Sequence, residues 1–387
     1  MAEAYIVEAV RTAGGRARKG GLVGVHPADL GATVLNALVE RTGVDPAAID
    51  DVIVGCVSQA GEQAFAFGRN IVLASKLPDS VPAVTIDRQC GSSQQALQFA
   101  AQAVMSGTQD LVIAAGAESM TRVPMGSNFT LHAQAGIGDG PWSSSVQQRY
   151  GVKEFSQFHG AQAIATKYGF TREAMDAFAL ESHRKAAAAI QSGAFKAEIV
   201  PVATPDGIFD QDDGVRYDAS AESMAAVKTL TEGGTITAAN ASQMTDGASG
   251  VLVASEEAIK RFNLKPIARI VNLTVTAGDP VIMLEEPIPA TRRALQRSGI
   301  KLDDIDLFEV NEAFASIPMA WLQAIGADPA KLNVNGGAIA LGHPLGATGT
   351  KLMSTLLHAL KARGGRYGLQ TMCEGGGVAN VTIVERL

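Results

Sequence analysis

The chain has 387 residues, 47% of them hydrophobic and 18% charged, which fills a large core and excludes intrinsic disorder. A net charge of −7 argues against a nucleic-acid scaffold, whose footprint is a basic stripe, but leaves room for a polyanionic cofactor at one local basic patch. Three cysteines exclude a disulfide framework, and no apolar run reaches the length of about 18 residues that a membrane helix needs, so the chain reads as soluble and cytoplasmic with free thiols.

The opening MAEAYIVEAVRT reads as a strand, β-rich over Ala4–Val10, and lacks the layout of a signal peptide. Leu30, Val34, Leu35, Leu38 and Val39 recur at helical spacing and predict a helix over Asp29–Arg41. DVIVGCV (51–57) predicts a buried strand, Ile71–Leu77 a short helix and Val84–Ile86 a strand. Ser93–Met105 predicts a helix and DLVIAA (110–115) another buried strand. Strands apolar on both faces, alternating with helices, imply a sheet covered by helices on both sides.

From 121 to 243 the texture changes. Gly126–Tyr150 is rich in Gly, Ser and Gln, Thr166–Gln191 predicts one long helical region in which Thr171 and Glu173 open a helix, and Asp206–Asp218 is acidic and loop-like. We read this stretch as an insertion. Strand pattern returns at Gly250–Ser255. It is followed by a strand over Ile267–Ala277, a helix over Ala290–Ser298, a strand over Asp306–Val310, a helix over Thr348–Ala362 and a strand over Tyr367–Met372. The strands at 51 and 306 are offset by 255 residues and those at 110 and 367 by 257, which suggests two similar halves.

Four segments could carry chemistry. Cys90 lies between a strand and a helix start, where the positive end of a helix favours thiolate; the alternative is a buried core thiol. His343 sits in the glycine-rich run NGGAIALGHPLGATG (335–349), which fits neither a P-loop nor a dinucleotide fingerprint. Cys373 is followed by three glycines in MCEGGGVAN (372–380), whose N–H groups could hold an oxyanion. Asn311 and Glu312 end an apolar strand, with a capping role for the Asn as the alternative. Cys and His together suit nucleophilic catalysis by a thiolate, and a second Cys suits a general acid/base.

With these motifs in order, the sequence resembles the thiolases over essentially its whole length. The resemblance is carried by DRQCGSSQQAL (87–97), GAESMTRVPM (116–125), ANASQMTDGAS (239–249), VNEAFA (310–315), GGAIALGHPLGATG (336–349) and CEGGG (373–377). It implies an α/β fold of five layers (αβαβα), two similar halves each with a mixed sheet, plus an inserted loop domain that binds coenzyme A. The expected domains are 1–120 with 244–268, the insert 121–243, and 269–387.

The resemblance also implies roles. Cys90 resembles the nucleophile that takes the acyl group, His343 the base that activates it, and Cys373 the second acid/base, acting at the acetyl methyl carbon. Asn311 resembles the holder of a water in a first oxyanion hole, and the N–H groups of Cys90 and Gly375 resemble the second hole. Ser242 resembles a contact to the pantetheine arm. Coenzyme A is then a co-substrate, with no permanently bound cofactor, no metal, and neither nucleic acid nor membrane as partner. A homodimer or homotetramer is the family expectation, and a hydratase/dehydrogenase partner subunit stays open.

Two departures stand out. Glu374 places a carboxyl beside Cys373, which disfavours a thiolate unless it points away. Where the short-chain branch carries His-Met-Gly, this chain has Ser156, Gln157 and Phe158. That tilts the reading to a degradative, beta-oxidation type 3-ketoacyl-CoA thiolase. A biosynthetic acetoacetyl-CoA thiolase, a ketoacyl synthase-type condensing enzyme and a non-catalytic binding subunit of the same fold remain alternatives.

Overall fold

The first half of the chain supplies five strands, β1 (Tyr5–Thr12), β2 (Asp51–Gly55), β3 (Ala83–Ile86), β4 (Leu111–Ser119) and β5 (Thr245–Ala254). The second supplies β6 (Ala268–Ala277), β7 (Leu307–Val310), β8 (Tyr367–Glu374) and β9 (Val378–Arg386). In the computed structural model, which describes residues 2–387, they hydrogen-bond in the order β7-β8-β9-β6-β1-β5-β4-β2-β3. Each half forms its own mixed stretch of sheet. The two stretches meet where β1 pairs antiparallel with β6 through Tyr5↔Arg269 and Ile6↔Ala268.

The repeat is visible in the register. Asp51 pairs with Val112 in one half and Leu307 with Gly368 in the other, so both partners shift by the same amount (307 − 51 = 256 and 368 − 112 = 256). Every residue of β4 and of β5 is buried, which is why these segments read as unbroken apolar runs and not as alternating ones.

Eight helices complete the frame: α1 (Pro27–Thr42), α2 (Phe67–Ala74), α3 (Ser92–Ser106), α4 (Gln157–Tyr168), α5 (Arg172–Ser192), α6 (Pro287–Ser298), α7 (Ser316–Ile325) and α8 (Thr348–Arg363). Leu30, Val34 and Leu35 of α1 and Ile71 of α2 cover one outer face, over Val52, Val54 and Leu252. Ala290 of α6 and Ile317 and Trp321 of α7 cover the other, over Phe308, Leu369 and Val381. Between the two sheet stretches lie α3 and α8, packing Leu97, Ala100, Met353 and Leu356 against Ile53, Val251 and Val384. The expected five layers are present. The two central helices start against each other: a Cβ on Gly349 would fall 2.0 Å from the Gln94 backbone nitrogen, so only glycine fits there.

Local differences have local causes. The early helix occupies Phe67–Ala74, not Ile71–Leu77, because Ser75 is extended and ends it. The long helical region from 166 splits, since Gly169 (φ 72°) caps α4 and Thr171 caps α5 by accepting from the Ala174 N–H. In the acidic loop Gly207–Phe209 pairs with Val202–Thr204. Its Asp212 is fully buried on Arg11, Nη1 to Oδ1 at 2.8 Å and Nη2 to Oδ2 at 2.9 Å, tying this segment to β1. The final strand runs on to Glu374, and Gly376 (φ 82°) and Gly377 (φ 76°) turn the chain into β9, a strand the sequence reading lacks. No helix among the described residues is long and apolar enough to cross a membrane.

Candidate active site

Cys90 stands on the short connection from β3 to α3. Gln89 before it has φ 49°, a left-handed backbone that a non-glycine residue adopts only when its surroundings hold it there; its N–H is fixed at 2.7 Å on Asp87 Oδ1. Gly91 after it is the N-cap of α3. Cys90 is half-buried, whereas Cys373, the last residue but one of β8, is fully buried. The two connections touch. A Cβ on Gly375 would come 2.8 Å from Gln89 Cγ, and one on Gly91 would come 1.9 Å from Glu374 Oε1. Cys90 and the 373–377 segment, 283 residues apart (373 − 90 = 283), therefore lie against each other.

The helix end was expected to favour a Cys90 thiolate. The resting electrostatics run the other way: burial first, and the Glu374 carboxyl second, push the Cys90 thiol up to about 12. Burial, then Cys90 itself and Glu374, hold the Cys373 thiol well above its ordinary range. Both sulfurs rest as thiols, so a nucleophile at Cys90 requires a base.

The candidate base is His343. Gly342 (φ 82°) precedes it, where a Cβ would lie 2.0 Å from Thr245 Oγ1. The His343 N–H donates to the Gln243 carbonyl at 3.0 Å and to Thr245 Oγ1 at 3.2 Å. Its Nδ1 is 2.6 Å from Thr348 Oγ1, and that hydroxyl donates to the Pro344 carbonyl at 2.9 Å. Toward the ring, Thr348 is left to accept, which assigns the proton to Nδ1 and the lone pair to Nε2. Burial, with Lys351 adding to it, pulls the imidazole down to about 3, so it is neutral.

Asn311 follows β7 and places Nδ2 3.3 Å from His343 Nε2, while its Oδ1 is buried without a partner. Ser242 donates its N–H to Ala313 O at 2.9 Å. Its stretch pairs with Phe314 at Ala241 and with His343 at Met244, so 241–244 runs from the Asn311 segment to the histidine. Phe158 lies edge-on to Phe314 at 5.7 Å and is partly exposed, as is Met244. Ser156 caps α4 and Gln157 reaches Met125 Sδ.

Two candidates serve the scaffold. Glu312 accepts from Ser182 Oγ at 2.6 Å, Asn333 Nδ2 at 3.0 Å and Ile339 N–H at 3.2 Å, bracing the loop that carries His343. Cys56 is buried in the outer core beside Glu118. The sequence reading misses Thr348 and Thr245, which orient His343. The clue for Thr348 is its place four residues after Pro344, where a threonine hydroxyl reaches back to the i−4 carbonyl. No group of three His, Cys, Asp or Glu among the described residues is arranged to hold a metal.

Residues 4–257 match the thiolase N-terminal domain and residues 264–386 the thiolase C-terminal domain. A protein named steroid 3-ketoacyl-CoA thiolase FadA6, from Mycobacterium tuberculosis, is 55% identical over 389 residues, covering 100% of this chain and 95% of that one. A 3-ketoacyl-CoA thiolase of Bacillus subtilis is 41% identical over 399 residues and 100% of both chains. The crystal structure of the Bacillus anthracis acetyl-CoA acetyltransferase superposes with a TM-score of 0.91 at 36% identity, over 100% of this chain and 99% of that one. Paired thiol-bearing connections on a duplicated layered frame, matched end to end by such relatives, make this chain an acyl-transferring enzyme of the thiolase family.

Proposed function

We propose that the enzyme cleaves 3-ketoacyl-CoA with coenzyme A, releasing acetyl-CoA and a shortened acyl-CoA through an acyl-enzyme on Cys90. The observation that carries this is the meeting of the Cys90 connection with the Cys373–Gly377 turn, with Cys90 packed against the cluster that holds Leu345, two residues on from the neutral His343. Nε2 takes the Cys90 proton and the sulfur attacks the 3-keto carbon. The C2–C3 bond breaks, and the departing acetyl-CoA carbanion takes the Cys373 proton. Coenzyme A then gives its thiol proton to Cys373 and attacks the thioester. The shortened acyl-CoA leaves, and Cys90 recovers its proton from His343.

The N–H groups of Cys90 and Gly375 serve one oxyanion, and Asn311 holds a water for the other. Ser242 and the 121–243 insert receive the pantetheine arm and coenzyme A, which is a co-substrate and not a resident cofactor. The degradative direction draws support from the relatives named 3-ketoacyl-CoA thiolase, and the steroid name of the 55% relative brings ring-derived acyl chains within range. A homodimer or homotetramer in the cytoplasm completes the reading. The test is thiolysis of 3-ketoacyl-CoA in the presence of free coenzyme A, with mass spectrometry of the acylated peptide. No cleavage, or acyl label on Cys56 or Cys373 with Cys90 clean, defeats the assignment.

A further inference from the structure

Glu374 is fully buried, and neither of its carboxyl oxygens has a hydrogen-bond partner. Burying an acid in this way is unfavourable, and a bare buried carboxyl calls for a reason. The internal repeat supplies a control. The residue 256 positions earlier (374 − 118 = 256) is Glu118, at the same place in β4 as Glu374 in β8. Glu118 is also fully buried, but it accepts from the Val57, Ser58 and Gly346 N–H groups and from Gln63 Nε2, all at 2.9–3.0 Å. One half thus uses this glutamate as a structural clamp. The half that carries Cys373 keeps the same acid and leaves it without partners.

Its place is equally specific. Gly91 has φ −87°, which any residue adopts, so the glycine is needed for space and not for backbone freedom. The space is filled by the Glu374 carboxyl, whose Oε1, Cδ and Cγ would lie 1.9, 2.4 and 2.9 Å from a Cβ there. Gly91 follows Cys90 in sequence, and Glu374 follows Cys373. Among the groups around the carboxyl, Arg88 on the Cys90 connection favours its ionised form, and the Asn380 N–H of β9, short of a formed hydrogen bond, acts the same way. The Cys373 thiol, next to it on the same strand, and the Cys90 thiol both feel its charge, and Cys90 also feels Asp87 and Glu118. Burial outweighs Arg88 and holds the Glu374 carboxyl well above its usual range.

We propose that Glu374 is a positioning residue for the thiol pair: seated on Gly91 without partners, it works as a neutral acid that tolerates a thiolate at Cys90 or Cys373, and its ionisation would silence both. Each sulfur passes through an anionic stage in the cycle proposed above, and a carboxylate fixed beside them would place two like charges in one buried pocket. The neutral acid avoids this and leaves the positive end of α3 to the Cys90 sulfur. The consequence is a damped alkaline response compared with an ordinary thiol. Raising the pH, which should favour thiolates, ionises Glu374 and works against them.

The inference rests on Cys90 and Cys373 being the reacting thiols, and its test separates the two. Full-length Glu374→Gln and Glu374→Met variants both keep the side-chain bulk and remove the ionisable proton. Two quantities are followed from neutral to alkaline pH: kcat for thiolysis, and the rate at which iodoacetamide alkylates Cys90, read by peptide mass spectrometry. In the native enzyme kcat should fall on the alkaline side, while the alkylation rate levels off instead of continuing to rise. In both variants that fall should be lost, and the ratio of alkaline to neutral Cys90 alkylation should rise about tenfold per pH unit of displaced limb. Native-shaped profiles in the two variants overturn the proposal. Folded variants that turn over at no pH overturn it as well, since the proton itself would then be required. Acylation of native Cys90 is the control: if it is absent, the site reading falls together with this inference, and if it is present with unshifted profiles, only the inference falls.

Discussion

Thr348 Oγ1 accepts from His343 Nδ1 at 2.6 Å while donating to the Pro344 carbonyl at 2.9 Å, so one hydroxyl fixes both the tautomer and the angle of the imidazole. Thr348→Val keeps the shape and removes the acceptor. Nε2 then competes for the ring proton, and kcat should drop by roughly 10- to 100-fold with little change in KM for coenzyme A. Thr348→Ser, which retains the hydroxyl, should recover most of the loss. Steady-state kinetics on the three proteins decide it, and an unchanged kcat in Thr348→Val would remove Thr348 from the catalytic apparatus.

Cys90→Ala and Cys373→Ala should fail differently. Without Cys90 no covalent species forms. Without Cys373 the nucleophile and His343 remain, so a simple acyl-CoA, with no carbon–carbon bond to break, still loads Cys90 slowly. Deuterium exchange at the acetyl-CoA methyl group should vanish in Cys373→Ala, with turnover down about 10²–10⁴-fold or more. Exchange at the native rate would move the carbon acid/base role to His343 or Glu374.

Acid should destabilise the fold through its buried imidazoles. His343 is pulled from 6.5 down to about 3, and His183, whose Nδ1 accepts from the Arg216 N–H, down to about 4, burial being the first cause for both. In the unfolded chain both take up a proton near 6.5. Below that pH the unfolded state binds more protons than the folded one, so stability present above 6.5 is lost as pH falls towards 4 for His183 and 3 for His343. Each contributes at most about 1.4 kcal/mol per pH unit in its window. Urea midpoints measured across that range should show a shallower slope in His183→Gln, and an identical slope would mean that His183 is protonated in the folded protein.

Substrates longer than acetoacetyl-CoA should be accepted. The start of α4 carries Ser156, Gln157 and Phe158 in place of His-Met-Gly, and Phe158 lies partly exposed against Phe314 of the segment that follows Asn311. kcat/KM compared across 3-ketoacyl-CoA chain lengths checks this. A collapse beyond four carbons would show that another residue closes the pocket.

The fold was legible where burial is symmetrical. β4 and β5 are apolar on both faces, and the near-equal offsets of 255 and 257 in the sequence become a common 256 in the paired register. Cys90, His343 and Cys373 announced themselves because glycines surround them. Thr348 did not, since its role depends on which way a hydroxyl proton points. Glu374 was noticed as a charge next to Cys373, but its contact with Gly91 joins residues 283 apart (374 − 91 = 283) and is invisible in one dimension. The helix-end argument for Cys90 weighed the dipole and not the desolvation, which is the larger effect here. The stretch 206–218 was legible as acidic and loop-like, but not that its Asp212 is buried on Arg11 of β1, 201 residues away (212 − 11 = 201).

The proposed site draws Cys90 from the first half of the chain and Asn311, His343 and Cys373 from the second, while the two stretches of sheet join through the pairs Tyr5↔Arg269 and Ile6↔Ala268. Refolding from denaturant therefore has two separable readouts. Circular dichroism follows the recovery of strands and helices. Catalysis returns only when the halves have docked closely enough for Glu374 to settle on Gly91. Recovered activity is accordingly the stricter measure of a native population.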